Sequence, residues 1–193
     1  MTPVLGVRIK SGWGATVLLG GTPERPLVLD SRRLELADPD EPATTQPHHA
    51  GTGTPQRDAR VLHRLIGLIE RAAGANAARL LDEYRASGQA PKLGVIVATS
   101  DTDPSRITNP HIQIHALEGQ LFRRVAGEAL TAAGLTCITL LEANLSARAT
   151  DRFGRPAAEL LAELKTWRPV GGGPWRQEQK MAALGAWVSL GDS

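Results

Sequence analysis

Two imidazoles and a carboxylate recur along one short stretch, Asn109–Arg124 (NPHIQIHALEGQLFRR). Asn109 is a good N-cap and Pro110 suits the first helical position, so the stretch reads as the start of a helix. At about 100° per residue, His111, His115, Glu118 and Phe122 fall on one face. Ile114, Leu121 and Val125 border that face and turn it inward. Imidazoles and a carboxylate turned inward lose hydration and need partners. His-x3-His-x2-Glu has the residue types and spacing of a helical metal site, with a divalent cation as its cofactor. It is not the zinc-protease pattern, in which the Glu directly follows the first His. In this reading His111, His115 and Glu118 do metal-assisted hydrolysis. Two other readings stay open: a charge-paired ligand site, and a structural cluster in which Glu118 pairs with Arg8, Arg123 or a histidine.

Other chemistry-bearing residues are scattered. Arg8 and Lys10 form a basic pair that favours phosphate or carboxylate. His48 and His49 lie in a Pro-, Thr- and Gly-rich segment, 37–56, which reads either as a solvated linker or as a flap that brings His49 to a site. Asp101 and Asp103 fit ordinary turn chemistry. His63 reads as a packed histidine. Lys180 would act as a fixed ammonium if it faced Glu118. The single cysteine, Cys137, rules out an internal disulfide and a Cys-based zinc site. Neither Gly20-Gly21 nor Gly171–Gly173 has phosphate-loop spacing, and there is no serine-hydrolase elbow.

These residues need a scaffold, and 193 residues suffice for one domain spanning 1–193. The 22 Lys and Arg nearly balance 20 Asp and Glu, so nucleic acid could be held only by a local patch. No apolar leader or membrane span is evident, which gives a cytoplasmic expectation and no membrane partner. Val4–Ile9, Ala15–Leu19 and Pro26–Leu36 read as three successive antiparallel strands. Arg57–Ser87 reads as a long helix or a pair broken near Gly74 and Asn76. Lys92–Thr99 is a buried strand and Asn109–Ala133 the site helix. Leu135–Leu141 is a further strand, followed by an exit loop, Glu142–Arg155. Pro156–Trp167 and Trp175–Leu190 close the chain as helices. The order predicts an α/β fold: a five-stranded mixed sheet, its first three strands antiparallel, with helices on both faces.

This order resembles the ribonuclease H-like fold, and within it the bacterial Holliday-junction resolvases. Gly6-Val7-Arg8-Ile9-Lys10-Ser11-Gly12 resembles their opening Gly-apolar-Asp-x-Gly-Ser. Asn109–Arg124 resembles the helix after their fourth strand, Leu135–Leu141 their fifth strand, and Trp175–Leu190 their closing helix. The resemblance implies phosphodiester cleavage by metal ions held on carboxylates. At the implied positions stand Arg8, Ala98 and Thr99, while the closing helix has only Glu178, near Gln179 and Ala182. A guanidinium cannot ligate a cation. The expectation is therefore a catalytically degenerate relative that binds nucleic acid or a phosphate-bearing ligand. Arg8, Lys10, His49, Arg123 and Lys180 are the binding residues, beside His111, His115 and Glu118. The alternatives are a metal-dependent nuclease or hydrolase using His111, His115 and Glu118, and an interaction module or homodimer that buries Trp175 and Trp187 against a partner.

Overall fold

The structure is a computed structural model and describes residues 2–51 and 54–191. Three strands open the chain: β1 (Val4–Lys10), β2 (Trp13–Thr22) and β3 (Arg25–Glu35). Two short strands, β4 (His49–Gly51) and β5 (Thr54–Pro55), pair within the 37–56 segment. Then follow α1 (Ala59–Ala86), β6 (Leu93–Ala98), α2 (Pro110–Ala132) and β7 (Thr136–Leu141). Helices α3 (Glu142–Phe153), α4 (Ala157–Thr166) and α5 (Gln177–Val188) complete the chain. The main sheet has five strands in the order β3-β2-β1-β6-β7. β1–β2 and β2–β3 are antiparallel, whereas β1–β6 and β6–β7 are parallel. This is the mixed sheet read from the sequence.

β1 and β6 are near-continuous apolar runs because both of their faces are covered. On one face α1 and α2 bury Leu80, Tyr84, Phe122 and Leu130 against Leu5, Val7 and Ile96. On the other, α3, α4 and α5 bury Leu145, Leu164 and Trp187 against Val17, Val95 and Val97. Among the described residues no helix is long and apolar enough to cross a membrane.

Two sequence expectations change and one alternative is resolved. The run 142–155 is not a loop, because Leu145, Ala149 and Phe153 repeat every four residues and form α3, which ends at Gly154 with φ 63°. Gly74 and Asn76 do not break α1. Its buried stripe continues through Ala73, Ala77 and Leu80, and Asn76 donates to the Glu35 carbonyl at 3.1 Å. His63 is exposed on α1 rather than packed. Segment 37–56 is also more ordered than a linker. A short 3-10 turn, Pro42–Thr45, is held by the buried Thr44 hydroxyl, which donates to the Glu41 carbonyl at 2.6 Å. Its residues Thr52 and Gly53 lie outside the described residues.

α5 packs closely on β1, where Ala182 lies against Gly6. A Cβ added at Gly6 would lie 2.0 Å from the Ala182 carbonyl oxygen, so only hydrogen fits there. Around Gly74, by contrast, a Cβ would meet nothing within 4 Å. Gly6→Ala is expected to lower the unfolding free energy by at least about 2 kcal/mol through overpacking. Gly74→Ala should raise it by about 0.5–1 kcal/mol through helix propensity. Urea denaturation of the two variants checks both signs; a neutral Gly6→Ala would contradict this packing.

Candidate functional site: a cationic cleft and a histidine-ringed carboxylate

The parallel strands β1, β6 and β7 deliver their carboxyl ends to one edge of the sheet. In register, Arg8 lies beside Val97, and Val97 beside Leu140. The Arg8 side chain is only 11% exposed. Its Nη1 donates to the Ile9 carbonyl at 2.9 Å, and its Nη2 donates to Glu142 Oε2 at 2.5 Å. Glu142 is the first residue of α3, where a carboxylate is also favoured by the helix dipole. With strands about 4.8 Å apart, this ion pair must reach across the end of β6. Ala98 and Thr99 stand there and put no long side chain in the way.

Beside this ion pair is a cleft of about 600 Å³ between the carboxyl ends of β1 and β6 and the first half of α2. Arg8, Lys10, Arg123 and His115 line it, with the hydroxyl-bearing Ser11 and Thr102, and no Asp or Glu is among its lining residues. Arg123 Nη1 also donates to the Ser100 carbonyl at 2.7 Å and so fixes the loop after β6. Asp101 and Asp103 do not contribute a carboxylate to the lining. Asp103 caps the 3-10 turn Pro104–Arg106, and the Ser105 backbone N–H holds its carboxyl below the ordinary carboxylate range. For Asp103 this is the turn role read from the sequence.

α2 starts where the sequence predicts. Asn109 Oδ1 accepts from the His111 and Ile112 amides at 3.0 and 3.3 Å, with Pro110 at the first position. Glu118 is turned into the protein, its side chain 1% exposed. Its partners come from segment 37–56. The His48 backbone N–H donates to Oε1 at 2.8 Å, and the imidazole Nδ1 atoms of His48 and His49 stand 3.5 and 3.4 Å from that oxygen. Three buried polar atoms, His48 Nδ1, His49 Nδ1 and Glu118 Oε2, have no hydrogen-bond partner. Buried polar groups are normally satisfied, so such a set calls for a chemical reason. One turn earlier, at the exposed start of α2, His115 Nε2 and His111 Nε2 approach to 3.2 Å. The His49 and His115 rings lie 5.5 Å apart, centroid to centroid. Four of the chain's five histidines thus gather at this end of α2.

The predicted residues therefore separate into two groups. Arg8, Lys10, Arg123 and His115 share the cleft. Glu118 pairs with the His48–His49 segment, not with Arg8 or Arg123, and His111 pairs with His115. Lys180 belongs to neither group. It lies on α5, on the opposite face of the sheet from α2, and cannot face Glu118. Among the described residues, no three His, Cys, Asp or Glu are already gathered to hold a metal ion, so His111, His115 and Glu118 do not form the expected triad. Trp187 is 2% exposed in the core, and Trp175, just before α5, is half-buried. Glu142 was not recognised from the sequence. The available signal was an acidic residue directly after the apolar run of β7, two strands from an unpaired Arg8.

No protein-family model matches the chain, and no curated protein matches it either. Solved structures do. Thermus thermophilus RuvC in complex with a Holliday-junction substrate superposes with a TM-score of 0.58 at 11% identity, covering 97% of this chain and 92% of that one. A second Thermus thermophilus RuvC structure gives 0.56 at 11% identity with the same coverage. At such identity the likeness speaks for the fold, and it agrees with the strand order, the antiparallel opening and the helices on both faces. The chain has the ribonuclease H-like fold, in the arrangement of RuvC resolvases.

Proposed function

We propose that this protein binds nucleic acid through its cationic cleft and does not cut it by the carboxylate-and-metal chemistry associated with the resolvase pattern. The Arg8–Glu142 ion pair carries this reading. A guanidinium stands where the first metal carboxylate belongs, and the nearest acid is consumed in neutralising it. The remaining positions do not fit a divalent ion either. Ala98 and Thr99 close β6. Gln179 is buried, and its Oε1 accepts from the Arg176 N–H at 3.1 Å as a helix cap. Ala182 packs on Gly6. What the cleft does offer is positive charge from Lys10 and Arg123 beside the paired Arg8, with the hydroxyls of Ser11 and Thr102 and no carboxylate in its lining. That set suits phosphate oxygens. The Holliday-junction substrate of the solved relative makes branched DNA the first ligand to try.

Fluorescence anisotropy with a four-way junction, duplex and single-stranded DNA and RNA, all in EDTA, tests the reading. Binding should persist without metal and weaken steeply with salt. Lys10→Glu combined with Arg123→Glu should weaken it at least about tenfold and lower the salt slope by roughly two. No binding to any of these probes at low salt would sink the proposal. Strand cleavage in Mg²⁺ or Mn²⁺ would sink its non-cutting half.

Glu142→Gln provides a separate check. Removing the acid leaves a mostly buried guanidinium uncompensated, so stability should fall by about 1–3 kcal/mol. The freed Arg8 should raise affinity for the same probe severalfold. Unchanged stability and weaker binding would mean that Arg8 does not face the ligand.

A further inference from the structure

We propose that Trp13 and Arg33 form a stacking platform for an unpaired nucleobase, beside the cleft that holds the phosphates. The inference rests on the cleft reading and narrows its ligand to nucleic acid that presents at least one base outside a duplex.

Trp13 is the one tryptophan, among the described residues, that packs against neither core. Trp187 is buried, and Trp167 and Trp175 pack on the same core as Trp187. The indole N–H groups of Trp187 and Trp175 donate to the Pro23 and Leu164 carbonyls at 2.8 and 3.0 Å. Trp13 makes no such bond and is half-buried at the start of β2. An aromatic ring spared from the core and left at a strand end is free to contact a ligand.

The register places it beside the cleft. Trp13 pairs with Lys10 across the Ser11-Gly12 turn, and with Glu35 on its other side. Lys10 and Ser11 line the cleft, and the Lys10 ammonium has no partner among the described residues. Directly paired residues share a face of the sheet, so Lys10, Trp13 and Glu35 form one cross-strand row. Arg33, two residues before Glu35, is on the same face. Its guanidinium carbon lies 4.3 Å from the Trp13 ring centroid.

Arg33 Nε pairs with Glu35, while Nη1 and Nη2 have no partner among the described residues. The Arg33 side chain is 52% exposed, so the side of the guanidinium turned away from the indole is open to solvent. A guanidinium backed by an aromatic ring is a surface on which unpaired bases stack. The Glu35 carboxylate makes this position poor for a phosphate, but a neutral base is not repelled by it. Lys10 would therefore hold the backbone at the mouth of the cleft while the base lies on Arg33 and Trp13.

Fluorescence anisotropy of the purified full chain in EDTA, with a short oligothymidylate and the same strand carrying abasic sites throughout, tests this. The two probes have the same phosphates and differ only in their bases. The wild type should bind the thymidylate about 5–100-fold more tightly. Trp13→Ala and Arg33→Lys should each lose most of that preference while keeping the affinity for the abasic strand and the salt slope. Trp13→Phe should restore it. Arg33→Lys keeps the charge at an exposed site, so it covers the case in which Trp13→Ala does not fold; circular dichroism checks both. Equal binding of the two strands by the wild type would overturn the platform alone. So would variants that keep the preference, or that weaken both strands equally. Binding of neither strand by the wild type would overturn the cleft reading and the platform with it.

Discussion

A guanidinium and a carboxylate, 2.5 Å apart across the ends of three parallel strands, set the chemistry of this molecule. β1, β6 and β7 must stay in parallel register for Arg8 to reach Glu142, and α5 must lie tight on Gly6 for β1 to hold its place. An ion pair this shielded is not a strong source of stability. Desolvation of both groups offsets much of their attraction, although breaking the pair by removing one partner leaves a costly orphan. Its effect is on charge. At this sheet edge the cation is part of the chain. Only one acid is needed to balance it, and the cleft beside it is left net positive.

The second constraint is the buried Glu118. A carboxylate that is 1% exposed requires donors, and the chain brings them from a segment about twenty residues long. The His48 amide hydrogen bond fastens that segment to α2, with both imidazoles within 3.5 Å of the same carboxylate oxygen. Closing a loop of this length has an entropic cost that grows only slowly with length, so a few such contacts hold it. The contact also explains why polar residues can sit on the inward face of α2 without breaking its core. Ile114, Leu121 and Phe122 still bury fully on either side of Glu118.

Much of the fold could be read from local patterns. The apolar runs of β1 and β6, the Asn109-Pro110 start of α2 and the 3.6-residue stripe of α1 each point to their own structure. α3 was hidden because Asn144, Ser146, Thr150 and Asp151 look like loop composition, and only Leu145, Ala149 and Phe153 keep helical spacing. The site was harder to read. Helical periodicity placed His111, His115 and Glu118 on one side of α2, but 3.6-residue geometry does not say what faces that side. Glu142 lies 134 residues from Arg8, and His48 lies 70 from Glu118. Pairings at such separations arise only from sheet order and loop path. Lys180 shows the converse: its type suited the site, but α5 packs on the other face.

α2 joins the two groups into one surface. Gln120 and Arg123 line the cleft, and both also line the shallow groove that contains His48. The wall of the cleft and the anchor of the 37–56 segment are thus successive turns of one helix. His115 stands at their junction, its ring towards both the cleft and His49. At the solvent edge of the cleft, the field of Lys10 and Arg123 is screened within about 8 Å at physiological salt, so it acts locally.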